Sequence, residues 1–132
     1  TKKCGIKNYN HCETFTVVRN PISRARSFFG CQWWGPRIKK NINTWVRKNY
    51  RSWIPQHRFL PVTHVLHYET LSTDFYNLMK SKDLNISLSK THQNPSRANN
   101  QEKLSEQVIC ELANFFKRDF EVFNYTMPAN CI

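Results

Sequence analysis

FTVVRNPISRARSFF, residues 15–29, passes from an apolar run into a helical pattern through one arginine and an Asn-Pro pair. Residues 14–19, TFTVVR, are β-branched and apolar, which is the composition of a buried strand. Asn20 is a helix-capping residue, and Pro21 suits the first helical position, where its missing N–H costs nothing. The pattern predicts a helix to about Phe29, stopped by Gly30. Arg19 therefore stands where a strand hands over to a helix. In an open parallel sheet, ligands bind beyond the carboxyl ends of the strands. A helix start offers free N–H groups and partial positive charge, and a guanidinium grips phosphate through two parallel hydrogen bonds. The juxtaposition points to a bound anion, with Arg19 and the Ser27 hydroxyl as donors. Spacing alone leaves a second reading open, in which Arg19 is a structural ion-pair partner and Ser27 a helix-surface hydroxyl.

Outward from this stretch, strands and helices alternate. A second helix is predicted from about Pro36, with Ile38, Ile42, Trp45 and Val46 on one face and Arg37, Lys39, Lys40, Arg47 and Lys48 around the rest. Residues 62–68, VTHVLHY, read as a second strand. A helix beginning near Thr70 or Ser72 carries Leu71, Phe75, Leu78 and Met79 on one stripe. Residues 88–103 are polar and aperiodic and read as a loop. A last helix, with Ser105 near its cap, turns Leu104, Val108, Leu112, Phe115 and Phe116 inward. The alternation argues for an α/β layout with parallel strands. Two strands are too few for a sheet that stands alone. The expectation is further strands in the loops, or more chain upstream of Thr1, which is not an initiator Met.

The 132 residues form one domain at most, residues 1–132, or a part of one. Nine Phe, four Trp and five Tyr against three Gly predict an aromatic-rich core. No apolar run approaches the roughly 18–20 residues of a membrane span, and no signal peptide is visible. The net charge of +11 is segregated: residues 1–60 hold 13 Lys/Arg against the single acid Glu13, while residues 61–132 hold seven against eight acids. Such a localised field favours anionic partners. Five cysteines, Cys4, Cys12, Cys31, Cys110 and Cys131, match no zinc spacing. Asn85-Ile86-Ser87 and Asn124-Tyr125-Thr126 are glycosylation sequons, whereas Asn94-Pro95-Ser96 is disqualified by its proline.

Four segments carry a family likeness. Arg19, Asn20, Pro21, Arg24 and Ser27 resemble, in register, the 3′-phosphate motif of sulfotransferases that use 3′-phosphoadenosine 5′-phosphosulfate (PAPS), the carbohydrate branch above all. VLHYETLSTDF, with Tyr68, Glu69, Leu71, Asp74 and Phe75, resembles the family's aromatic-Glu-x-Leu-x-x-Asp-Phe segment. THQNPS, with His92, Asn94 and Ser96, resembles its His-x-Asn-x-Ser loop. KRDFEVFNY is similar to its closing Asp-Phe-Glu-x-Phe-Gly-Tyr, with Asn124 where the family has Gly.

The resemblance implies a P-loop-NTPase-like parallel sheet flanked by helices, incomplete on its amino-terminal side. It implies transfer of a sulfuryl group from PAPS to a hydroxyl or amine, on an anionic or carbohydrate acceptor. No metal and no stable nucleic-acid complex are expected. Arg19 and Ser27 would hold the 3′-phosphate, and Arg97, beside His92, Asn94 and Ser96, would reach the nucleotide or acceptor from its loop. Arg24 and Glu69 would pair structurally. A Golgi or other secretory location is implied, with the cytoplasm as the alternative. The family's Lys- and Gly-bearing loop for the 5′-phosphosulfate has no counterpart here: Lys3-Cys4-Gly5 lacks its hydroxyls and stands too close to Arg19. No catalytic base is assigned. Two other classes stay open. One is a non-catalytic module for PAP, the desulfated nucleotide, or for a sulfated glycan. The other is a basic nucleic-acid-binding domain using Trp33, Trp34, Trp45, Tyr50 and Trp53.

Overall fold

Asn20 begins the first helix as its composition requires. In the computed structural model, which describes residues 12–31, 40–89 and 103–131, its side-chain Oδ1 accepts the Ile22 N–H at 2.9 Å. Helix α1 (Pro21–Gly30) follows, its first backbone bond running from the Arg24 N–H to the Asn20 carbonyl at 2.8 Å. Gly30 is the buried last residue of this helix, not a left-handed stop; Cys31 ends it in an extended conformation. The described residues fall into two units.

The first unit comprises the described residues of Thr1–Val18 and Phe59–Leu88. Strand β1 (Phe15–Val18) pairs in parallel with strand β2 (His64–His67), Phe15 opposite His64 and Val18 opposite His67. Reciprocal bonds set the entry to this ladder: the Thr14 N–H donates to Thr63 Oγ1 at 3.1 Å, and the Thr63 N–H donates to Thr14 Oγ1 at 3.3 Å. After β2 a 3₁₀ turn (Tyr68–Thr70) leads into helix α3 (Leu71–Ser81). Leu71, Phe75, Leu78 and Met79 form its stripe, each only half-buried. Asp74 reaches back from this helix, its Oδ2 accepting the His67 N–H at 2.9 Å. An open groove of about 450 Å³ runs along β2 and α3, lined by His64, Leu66, Asp74, Asn77 and Ser81 among others. The α/β class and the parallel pairing are present. The described strands make a two-stranded sheet, smaller than the resemblance implies.

The second unit comprises the described residues of Arg19–Arg58 and Ser89–Ile132, and it holds a helical core. Helix α2 (Ile42–Asn49) is capped by Asn41, whose side chain accepts from the Asn43 and Thr44 N–H groups. Lys40 and Asn41 are not helical, so this helix does not run unbroken from near Pro36, which itself lies outside the described residues. Asn41 starts it because it satisfies two first-turn donors that would otherwise go unpaired. Helix α4 (Glu106–Phe115) is capped by Ser105, and helix α5 (Lys117–Val122) follows it. The α2 and α4 starts are tied together: Asn43 Oδ1 accepts the Ser105 N–H at 2.7 Å.

Ala25 of α1, Ile42, Val46 and Tyr50 of the α2 region, and Leu104, Val108, Leu112 and Phe116 of the α4 region make one buried cluster. Phe115 is 43 % exposed, contrary to the inward face read from its periodicity. It and Phe116 lie about 100° apart on a helix, so one stripe cannot bury both. Its ring instead packs edge-on against Tyr50, with centroids 5.2 Å apart. Phe28, Phe29, Trp45 and Trp53 form a chain of tilted and edge-to-face contacts, as the aromatic-rich composition led one to expect. Of the basic face on α2, Arg47 forms a two-bond pair with Glu111 through Nε and Nη2.

Candidate functional site

Arg19 is the residue on which an anion site depends, and its backbone is held by a side chain 37 residues away. The Arg19 N–H donates to Gln56 Oε1 at 2.9 Å, and Gln56 Nε2 donates to the Arg19 carbonyl at 2.7 Å. A primary amide here substitutes for a neighbouring strand, satisfying both backbone groups of one residue. Gln56 is itself only 3 % exposed.

Asp119 holds Gln56 in turn. Its carboxylate is fully buried, and Oδ2 accepts the Gln56 N–H at 2.8 Å. Oδ1 accepts the His57 N–H at 2.9 Å and lies 2.7 Å from His57 Nδ1. With a carboxylate opposite, Nδ1 is the imidazole nitrogen that carries the proton. Asp119 thus caps the 3₁₀ turn Gln56–Phe59 from α5. A buried carboxylate is expensive unless its lone pairs are filled, and three donors fill them. Asp119 also acts on Arg24. Burial lowers the pKa of the Arg24 guanidinium, and the Asp119 charge works in the opposite direction. Arg24 lies over the Phe28 ring, 5.0 Å from its centroid. Within this unit, an acidic charge acting on Arg24 is that of Asp119.

The Arg19 side chain runs along α1. Its Nε donates to Ser23 Oγ at 2.7 Å, which turns the guanidinium over the first helical turn. Having accepted that bond, the Ser23 hydroxyl has its own proton to donate. Ser27 lies one turn further along the same face, about 6 Å on, and is half-buried. The structure thus joins Arg19 to Ser23 and continues the row to Ser27. Ser23 was missed, although its i, i+4 spacing from Arg19 was legible. Arg97, His92, Asn94 and Ser96, and Lys3-Cys4-Gly5, lie outside the described residues.

The donor set suits a phosphate: a guanidinium whose Nε lies on the Ser23 hydroxyl, at the start of a ten-residue helix whose Ile22 N–H is taken by Asn20. Among the described residues, no three or more His, Cys, Asp or Glu side chains are placed to hold a metal ion. No helix among them is long and apolar enough to cross a membrane. Compared with protein-family models, with curated proteins and with solved structures, the chain matches none.

Proposed function

We propose that this chain is a PAPS-dependent sulfotransferase domain, or the carboxy-terminal part of one, acting on a hydroxyl or amine of a carbohydrate. The observation that carries the reading is Arg19, pinned by Gln56 at the amino end of α1 with its Nε on Ser23. That arrangement lies in the segment most similar to the family's 3′-phosphate motif. A second support comes from the family position that departs. Asn124 stands where the family has Gly, and its φ is 59°. Asn is the residue after Gly that best tolerates this left-handed conformation, so the substitution preserves the turn. The P-loop-like sheet remains part of the proposal and needs strands beyond β1 and β2.

In this reading Arg19 neutralises the 3′-phosphate and fixes the nucleotide's register. The Ser23 hydroxyl keeps the guanidinium in place, and Ser27 donates from the next turn. Bound PAPS supplies the sulfuryl group, with the nucleotide as leaving group. The basic first sixty residues draw in an anionic nucleotide or acceptor.

The test is PAP binding by calorimetry and thermal shift. PAP stabilises the protein, and Arg19→Ala weakens binding by about a hundredfold, as expected for losing a charged contact. Unchanged affinity in that variant would show the site to be wrong. Transfer from labelled donor to a panel of glycans separates an enzyme from a PAP-binding module. Salt-sensitive oligonucleotide binding without any response to PAP would replace both readings.

A further inference from the structure

We infer that Asn124 and Asn85 carry N-linked glycans, and that the protein acquires them in the lumen of the secretory pathway. Both residues open Asn-x-Ser/Thr sequons. A sequon is used only where its side chains reach the transfer machinery, and both are exposed.

Asn124 follows the end of α5, in a turn closed by the Tyr125 N–H donating to the Phe120 carbonyl at 2.9 Å. Its left-handed φ of 59° holds it outside the helix, and Asn124 and Thr126 are both exposed. Asn85 lies beyond α3, next to Leu84, whose N–H bonds the Met79 carbonyl and closes that helix. Here the segment is irregular, and Leu84, Ile86 and Leu88 are 47, 56 and 41 % exposed. An alternating apolar row in the open invites pairing with another chain.

The cysteines are an independent observation. Cys110 and Cys131 form a disulfide that encloses Asn124, and Cys12 is also disulfide-bonded. Structural disulfides persist in oxidising compartments. Sequons are modified in the same place.

The co-reactant is an oligosaccharide linked through a diphosphate to a lipid carrier. The Asn side-chain nitrogen attacks the anomeric carbon of the first sugar. The bond from that carbon to the phosphate oxygen breaks, and a carbon–nitrogen bond forms. The amide nitrogen gives up one proton, and the lipid diphosphate departs with the bonding electron pair.

The experiment expresses the complete coding sequence in animal cells and follows electrophoretic mobility with and without peptide-N-glycosidase. The expected result is an upward mobility shift removed by the enzyme, with Asp replacing Asn at positions 124 and 85 in the digested peptides and one step assigned to each. Thr126→Ala removes one step and Ser87→Ala the other. These variants keep both asparagines, so the left-handed turn at Asn124 is undisturbed. Unmodified peptides at both positions would overturn the inference, and an unmodified peptide at one position would overturn it there.

Discussion

The side-chain amide of Gln56 closes on the backbone of Arg19 from both sides, accepting its N–H at 2.9 Å and donating to its carbonyl at 2.7 Å. The two residues are 37 positions apart. Gln56→Leu keeps the bulk and removes both bonds, leaving an N–H and a carbonyl unpaired in a part-buried place. Each such loss costs about 1 kcal/mol or more. The expected fall in stability is about 2–3 kcal/mol, seen as a lower urea midpoint at unchanged slope. PAP affinity should fall in the same variant, since the Arg19 backbone is no longer fixed.

Asp119 should be the more sensitive residue. Asp119→Ala deprives the Gln56 and His57 N–H groups and the His57 imidazole of their acceptor at once. The Arg24 guanidinium also loses a charge that offsets its burial. Breaking a buried charged arrangement of this kind costs about 3–5 kcal/mol. Asp119→Asn retains one acceptor oxygen and should lose distinctly less. Equilibrium unfolding of the two variants side by side gives the ranking, and equal losses would remove Asp119 from this role.

Ser23 and Ser27 are separable by a double-mutant cycle on PAP affinity. Ser23 touches the Arg19 Nε, so Ser23→Ala should weaken PAP about fivefold in the native protein. In the Arg19→Ala background it should have no effect, because the residue it orients is gone. Ser27→Ala should weaken PAP by a similar factor in both backgrounds, since in the proposed site it donates on its own account. The measurement is calorimetric Kd for the four combinations in each cycle.

Glu13, the one acid in the first sixty residues, pairs with the Lys82 ammonium in the first unit. The hydrogen bond from Lys82 is the main cause that holds its pKa below the ordinary 4.5, with the charges of Lys82 and His64 adding to it. A lowered carboxylate pKa means that the folded state favours the ionised form. Its contribution is therefore present above the ordinary value and is lost as pH falls through the lowered one. Carboxyl NMR titration should place Glu13 below 4.5 in the native protein. Lys82→Met should move it upward. A Glu13 value indifferent to that substitution would remove the pair from any account of acid sensitivity.

Much of the local structure was legible because its causes are local. Asn20-Pro21 marks a helix start through one side chain and one ring, and α1 begins there. Val46, Val108 and Leu112 were readable as core because helical spacing puts them on one side. Phe115 shows where that method ends, because spacing names a stripe and the packing partner sets its width. Asn41 starts α2 by capping two donors, a signal that composition alone does not rank.

The sequence by itself determined that an arginine meets a helix start after a short strand, that two strands run parallel, and that the charge lies in the first sixty residues. These follow from neighbouring residues, their periodicity and the alternation of strands with helices. Only the tertiary structure decided how Arg19 is held. Sequence reading assigns Gln56 no role and gives Asp119 only its place in the family-like KRDFEVFNY segment. They act because folding brings an amide to a backbone 37 residues away and a carboxylate to a turn more than sixty residues away. A buried hydrogen bond depends on where its partner is in space, and spacing along the chain does not encode that.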